Sequence, residues 1–352
     1  MHGIIARVLL QIRSNSSTMD IVSFGNTGLK VSRLCFGTMT IGSSQWKPWV
    51  LDEADARPLL KKCLDLGITF FDTANWYSIG ESERVVASTL TSMVPRDNLV
   101  LATKAFYAMS DDPNDRGLSR KHLLASVDAS LRRMGTDYID LLVIHAFDPQ
   151  TPVEETMAAL HDIVRSGKVL YLGASTMFAW QFAQMNHVAR LNGWTPFVNM
   201  QCQYNLLYRE EEREMLPYCR DQGIAVTAFS LLARGQLSAS NRVRSQTDIH
   251  FTHMYGDALD REICAAVETI ARQRKTTMAT VALAWVLSKS EICCPIMGAS
   301  TVEQIENNIG ALNFELAAEE IETLDAMYRP RDVINDYVTE PMPRYWRGET
   351  NG

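Results

Sequence analysis

The chain has 352 residues, of which 46% are hydrophobic and 21% charged, a balance that belongs to a folded globular protein and excludes wholesale disorder. Lys plus Arg number 34 against 41 Asp plus Glu, giving a formal net charge of −7 with no basic block, which argues against nucleic acid or an anionic membrane as partner. The most apolar uncharged stretch, 276–288, is too short to span a bilayer, and the longer one, 191–208, is interrupted by Asn, Gln, Gly and Pro, so no membrane helix is expected.

In chain order, 1–18 carries Arg7 and Arg13, no acid, and a short apolar stretch ending in Ser14-Asn15-Ser16-Ser17-Thr18. The long apolar core and small-residue cleavage site of a secretory signal are not found there. The segment is expected to be a disordered extension, or to precede a start at Met19; its acid-free composition leaves an organelle-targeting peptide as the alternative. From Ser32 onward, eight runs rich in Val, Ile and Phe read as strands: 34–38, 69–74, 99–105, 138–146, 169–175, 197–204, 225–230 and 292–298. Apolar positions three and four apart predict helices over 54–66, 120–134, 153–166, 178–191 and 211–222. Asp52 or Asp55 caps the first, and Gly67, Gly135 and Gly167 follow helix ends. The polar stretch 238–253 reads as a long loop, of the kind that is usually functional or mobile. Two helices, 259–274 and 278–289, precede the eighth strand, and another, 317–328, follows it.

Strands such as 139–144, where only Asp140 interrupts the apolar run, are apolar on both faces and belong in a parallel sheet covered by helices. The α/β alternation therefore predicts a (β/α)8 TIM barrel with extra helices before strand 8 and at the C-terminus, one domain over 19–335 followed by a tail at 336–352. The seven cysteines are odd in number and scattered, without a C-x-x-C pair or a nearby His cluster. They suit free thiols in a reducing, cytoplasmic setting and speak against a disulfide framework or a zinc site.

In such a barrel the chemistry sits where strands end. The second strand ends in Asp72, the third in Lys104 and the fourth in His145, with Tyr77 five residues beyond Asp72. Singly, these would be a turn former, a solvated lysine, a core histidine and a packed loop tyrosine. Asp and Lys together in apolar strands imply a pair at a cleft, because neither is buried alone. The four make a proton-transfer site. An ammonium favours a phenolate, Asp72 keeps Lys104 charged, and His145 holds a substrate oxygen. No residue there attacks carbon, so hydride from a nicotinamide is the natural supplement.

These motifs resemble the aldo-keto reductase superfamily from about residue 21 to 332, and within it the bacterial branch whose members look like the potassium-channel β subunit. The elements are Phe70-Phe71-Asp72-Thr73-Ala74-Asn75-Trp76-Tyr77, Ala102-Thr103-Lys104 and Asp140-Leu141-Leu142-Val143-Ile144-His145. The resemblance implies Tyr77 as general acid, Asp72 and Lys104 tuning it, and His145 orienting the carbonyl. It also implies that Ser175 and Gln201 bind the carboxamide and that Phe229 stacks on the nicotinamide. Ser230, Leu232, Arg234 and Gly235 would lie along the pyrophosphate, and Gly298, Ser300, Gln304, Asn307 and Asn308 along the adenosine. The cofactor implied is NADP(H), with NAD possible. Where relatives often carry a cation that reads the 2′-phosphate, this chain has Thr301, which leaves Ser300, Gln304 and Arg244 on the long loop. Relatives also usually have proline at Leu231, and many have an arginine after the histidine where this chain has Ala146.

Trp46, Trp49, Trp76 and Phe147 lie in loops at the same mouth and suit an apolar or aromatic aldehyde or ketone. Pro48 and Pro58 on the flanks suggest a stiffened loop there. The leading reading is thus a carbonyl reductase, reversible with alcohols. The alternative is a nucleotide-binding, redox-sensing regulatory subunit with slow turnover. A metal-dependent barrel enzyme is a third, with only Asp72 and His145 as clear ligands and no metal expected. Oligomeric state is not encoded in any pattern found.

Overall fold

Helices α1 (Glu53–Asp65), α2 (Glu81–Thr91), α3 (Arg120–Met134), α4 (Val153–Arg165), α5 (Ala179–Leu191) and α6 (Met215–Gln222) alternate with parallel strands. The strands are β3 (Cys35–Gly37), β4 (Phe70–Asp72), β5 (Val100–Ala105), β6 (Ile139–Ile144), β7 (Val169–Ser175), β8 (Asn199–Gln203), β9 (Ala225–Phe229) and β10 (Ile296–Met297). The structure is a computed structural model that describes residues 19–238 and 254–333. The expectations for 1–18, for the tail 336–352 and for Arg244 with the rest of 239–253 lie outside the described residues.

Each of the eight strands falls inside its predicted run, and the sheet order β10-β3-β4-β5-β6-β7-β8-β9 is that of a (β/α)8 TIM barrel. The ring closes where Val226 bridges Ile292 and its carbonyl accepts from the amides of Cys293 and Cys294. Two-sided burial of the strands makes two separate apolar layers. Leu142, Ile144, Leu172 and Met200 face the helices, whereas Cys35, Phe70, Ala102, Leu141 and Val143 fill the barrel interior.

Before the eighth strand run α7 (Ala258–Gln273) and α8 (Met278–Leu287), and after it α9 (Val302–Gly310), for which the pattern gave no range, and at the C-terminal end α10 (Ala318–Met327); α7, α8 and α10 are the extra helices the pattern predicts. Among the described residues no helix is long and apolar enough to cross a membrane.

Local expectations are corrected in four places. An antiparallel hairpin, β1 (Ile21–Ser23) with β2 (Lys30–Ser32), precedes the barrel and was not expected, because each arm has only three residues. It inserts Phe24 against Phe70, ring centroids 5.7 Å apart and edge-to-face, and so plugs one end of the interior. Gly25 is obligatory in that plug, since its φ is +57° and a Cβ there would meet the Gly223 carbonyl at 2.6 Å. Secondly, Asp52 is the residue before α1, but its carboxylate accepts from the amide and hydroxyl of Ser44 instead of capping the helix. Thirdly, Pro58, expected to stiffen a flanking loop, sits inside α1. Fourthly, the helix expected over 211–222 is broken into a 3-10 turn, Glu210–Glu212, and α6.

Candidate active site

The strand ends gather the four predicted proton-transfer residues. Asp72 closes β4 and pairs in register with Ala102, so Lys104 stands one pleat higher on β5. The backbone continues the climb: Thr73 N donates to Ala102 O, Asn75 N to Lys104 O, and His145 N to Ala105 O. The loop after β4 then returns Tyr77 over the ammonium through a tight turn in which Ser78, Ile79 and Gly80 all have positive φ. Outside the barrel, Thr103 is anchored by Glu83 of α2 at 2.5 Å, and Glu83 is bridged to Arg133 of α3 at 2.6 Å.

Lys104 is fully buried, and its Nζ donates to Asp72 Oδ2 at 2.6 Å, to the Thr73 carbonyl at 2.8 Å and, at 3.4 Å, to the Tyr77 hydroxyl. Burial alone would push this ammonium down. Contact with Asp72 and then Tyr77 reverses that and holds its pKa above the ordinary lysine value, so Lys104 is charged at neutral pH. His145 moves the other way: burial, and then the Lys104 charge, hold the imidazole well below its usual value, so it is neutral. Its ring lies edge-on to Tyr77, with centroids 5.9 Å apart. The group therefore contains a phenol, a permanent cation in contact with it, and a neutral imidazole. It can give a proton to an oxygen placed between Tyr77 and His145 and stabilise the anion left behind.

The residues expected to hold a nucleotide ring the same mouth. Ser175 ends β7 and Gln201 lies on β8, and Gln201 Nε2 donates to Asp72 Oδ1 at 3.0 Å, a bond that the sequence did not suggest. Phe229 ends β9 partly exposed, beside a cavity of about 60 Å³ that Thr176, Gln203, Arg234 and Glu211 also line. Burial, and then Glu210, push the Glu211 carboxyl up to about 8. The loop after β9 turns sharply, with positive φ at Ser230, Ala233, Arg234 and Gly235, and Leu232 lies within it. Asn205 holds it by donating to the Ser230 carbonyl at 2.9 Å and to the Tyr255 hydroxyl at 2.9 Å. Sequence reasoning missed Tyr255, which lies just beyond the long loop and is fixed only by the fold.

In the segment expected to hold the adenosine, Gly298, Ser300 and Asn307 are exposed, and Gln304 is partly so. Asn308 is buried and donates to the Gly298 carbonyl at 3.4 Å. Thr301 caps α9 by accepting from Gln304 N, while the amide and hydroxyl of Ser300 both donate to Gln304 Oε1, at 2.9 and 3.2 Å. Of the three residues expected to read the phosphate, the two that are described, Ser300 and Gln304, are thus paired with each other.

Of the aromatic residues, Trp46, Trp49 and Trp76 form one cluster, with centroids 6.2 Å (Trp46–Trp49) and 5.1 Å (Trp46–Trp76) apart. Tyr107, which the sequence reading passed over, extends it from Trp76 (5.3 Å) to His145 (4.7 Å). Phe147 is not brought into this cluster; it is buried in the layer beneath the helices and meets Trp180 at 6.2 Å.

Residues 33–329 match the model of the aldo/keto reductase family. An aldo-keto reductase of Fusarium vanettenii is 42% identical over 344 residues, covering 90% of this chain and 92% of the relative. A putative aryl-alcohol dehydrogenase of Schizosaccharomyces pombe is 40% identical over 335 residues, 87% of this chain and 95% of the relative. The versiconal hemiacetal acetate reductase of Aspergillus parasiticus is 39% identical over 341 residues, 90% of this chain and 98% of the relative. All three are fungal, which corrects the expected placement in a bacterial branch close to the potassium-channel β subunit. The chain belongs to the aldo/keto reductase family, a family of oxidoreductases.

Proposed function

We propose that this protein reduces apolar or aromatic aldehydes or ketones to alcohols with NADPH, reversibly, and that Tyr77 is the proton donor. The observation that carries the reading is the contact set of buried Lys104 with Asp72 and Tyr77 beside a neutral His145. The nucleotide, when bound, supplies or takes up the hydride. The residues present fit it: an aromatic side chain at the end of β9 faces a cavity, and the turn of positive-φ residues after it exposes main chain on which an anion can rest. Ser175 and Gln201 would hold the amide, Phe229 would stack, and Ser230, Leu232, Arg234 and Gly235 would follow the phosphates. Gly298, Ser300, Gln304, Asn307 and Asn308 would line the adenosine.

His145 and the Tyr77 hydroxyl position the substrate oxygen. Tyr77 gives it a proton as negative charge develops, and the ammonium of Lys104 stabilises the resulting phenolate. Trp46, Trp49 and Trp76 exclude water and favour a planar apolar substrate, in keeping with the name of the Schizosaccharomyces pombe relative, a putative aryl-alcohol dehydrogenase.

The test is NADPH oxidation with 4-nitrobenzaldehyde. Turnover is expected in the wild type. In Tyr77→Phe a fall of about a hundredfold or more is expected, while quenching of NADPH fluorescence persists. Unchanged turnover in that variant overturns the proton-donor role. Tight nucleotide binding without wild-type turnover would favour a regulatory, redox-sensing subunit instead.

A further inference from the structure

An imidazole that must present one nitrogen to a substrate is commonly oriented by a hydrogen bond at the other. His145 lacks that device: its Nδ1 is buried and has no hydrogen-bond partner. The backbone bond from His145 N to Ala105 O fixes the Cα but not the side-chain torsions. Two rings close on the imidazole instead. Tyr107 stands 4.7 Å away at 66° and Tyr77 5.9 Å away at 76°, both edge-to-face. Tyr107 is itself immobilised, only 6% exposed, between Trp76 at 5.3 Å and Phe106 at 5.2 Å.

Building on the carbonyl-reductase reading, we propose that Tyr107 is a positioning residue, whose ring sets the orientation of His145 and leaves Nε2 as the nitrogen offered to the carbonyl oxygen. Edge-to-face pairs have a preferred geometry and resist rotation of either ring. Tyr107 also keeps water from the imidazole, in line with its neutral state. The titratable groups that face the ring are Tyr77 from the loop after β4, Lys104 on β5 and Tyr107 itself, with Asp72 behind the ammonium.

The experiment compares wild type, Tyr107→Phe and Tyr107→Leu in NADPH-dependent reduction of 4-nitrobenzaldehyde. It also follows the His145 imidazole by NMR across pH, the signal being assigned with His145→Gln. Tyr107→Leu is expected to lower kcat by about threefold to tenfold, the scale of one aromatic contact, with KM within twofold. Tyr107→Phe is expected to stay within twofold of wild type in both. In Tyr107→Leu the imidazole should titrate at higher pH than in wild type, because water reaches it. Tyr107→Met replaces the Leu variant should that fail to fold. A loss confined to KM, a Phe variant as impaired as the Leu variant, or an unchanged His145 titration each overturns the proposal. The NMR result stands without turnover, so an inactive wild type would overturn the reductase reading and leave Tyr107 to be judged on the titration.

Discussion

Phe70 and Asp72 stand two residues apart on β4, on the same face of the strand, and their main partners differ in kind. Phe70 meets Phe24 of the hairpin within an apolar cluster, whereas Asp72 accepts from Lys104 at 2.6 Å and from Gln201 at 3.0 Å. One end of the interior is held by packing that tolerates any close-fitting apolar shape. The other is held by charges that are costly unless each has its partner. The interior thus keeps its charged pair at one rim and its aromatic plug at the other.

The strongest way to break this contrast is Lys104→Met. It leaves Asp72 buried without its cation, and should destabilise by about 3–5 kcal/mol while abolishing measurable carbonyl reduction. A well-folded, active variant would mean that the rim charges do not depend on one another. Phe24→Ala should cost about as much stability, 3–5 kcal/mol, yet leave kcat per folded molecule unchanged; denaturant melts and assays on the same samples separate the two.

Smaller effects sharpen the comparison through pH. His145 is held below its usual value of 6.5, so its contribution to stability is full above that pH. It is lost as pH falls below 6.5, where the unfolded chain takes up a proton and the folded one does not. Glu211 has the opposite sign. Its folded value is about 8 against an ordinary 4.5, so stability is full below 4.5 and falls as pH rises between the two. His145→Gln should flatten the acid side of the stability profile. Glu211→Gln should flatten the window up to pH 8 and gain about 1–2 kcal/mol there, a figure discounted for solvent reaching a half-buried side chain. A Glu211→Gln profile parallel to wild type would show that the carboxyl is already ionised at pH 7. Smallest is Ser300→Ala, which should weaken NADPH binding by about threefold to tenfold while leaving NADH unaffected. Equal losses for both nucleotides would remove Ser300 from phosphate recognition.

The strands were legible because burial on both faces writes long apolar runs, and the rim residues because a lysine and an aspartate inside such runs require each other. The hairpin escaped because three-residue arms carry no periodic signal; its one trace was the turn chemistry of Gly25-Asn26-Thr27-Gly28. Asp52 obeyed the helix-capping rule in position only, since Ser44 offers two better donors. Phe147 reads as a mouth residue from its nearness to His145 in sequence, but the strand ends at Ile144 and the chain bends at Ala146, so the side alternation of the strand no longer holds and the Phe147 side chain packs under the helices. Tyr107 and Tyr255 could not be read, because what matters about them is the partner each finds across the fold.

The ring of strands is fastened at a thin seam. β10 offers two residues to β3, and its hold on β9 runs through the single carbonyl of Val226, with the Arg33 guanidinium gripping the main-chain oxygens of Ile292, Cys293 and Leu287 like a clasp. Amides of 292–294, 296 and 297 should therefore exchange with deuterium sooner than those of any other stave in the hoop. The segment that follows is the one assigned to the adenosine, so a dinucleotide lying there would act as a rivet as well as a reagent.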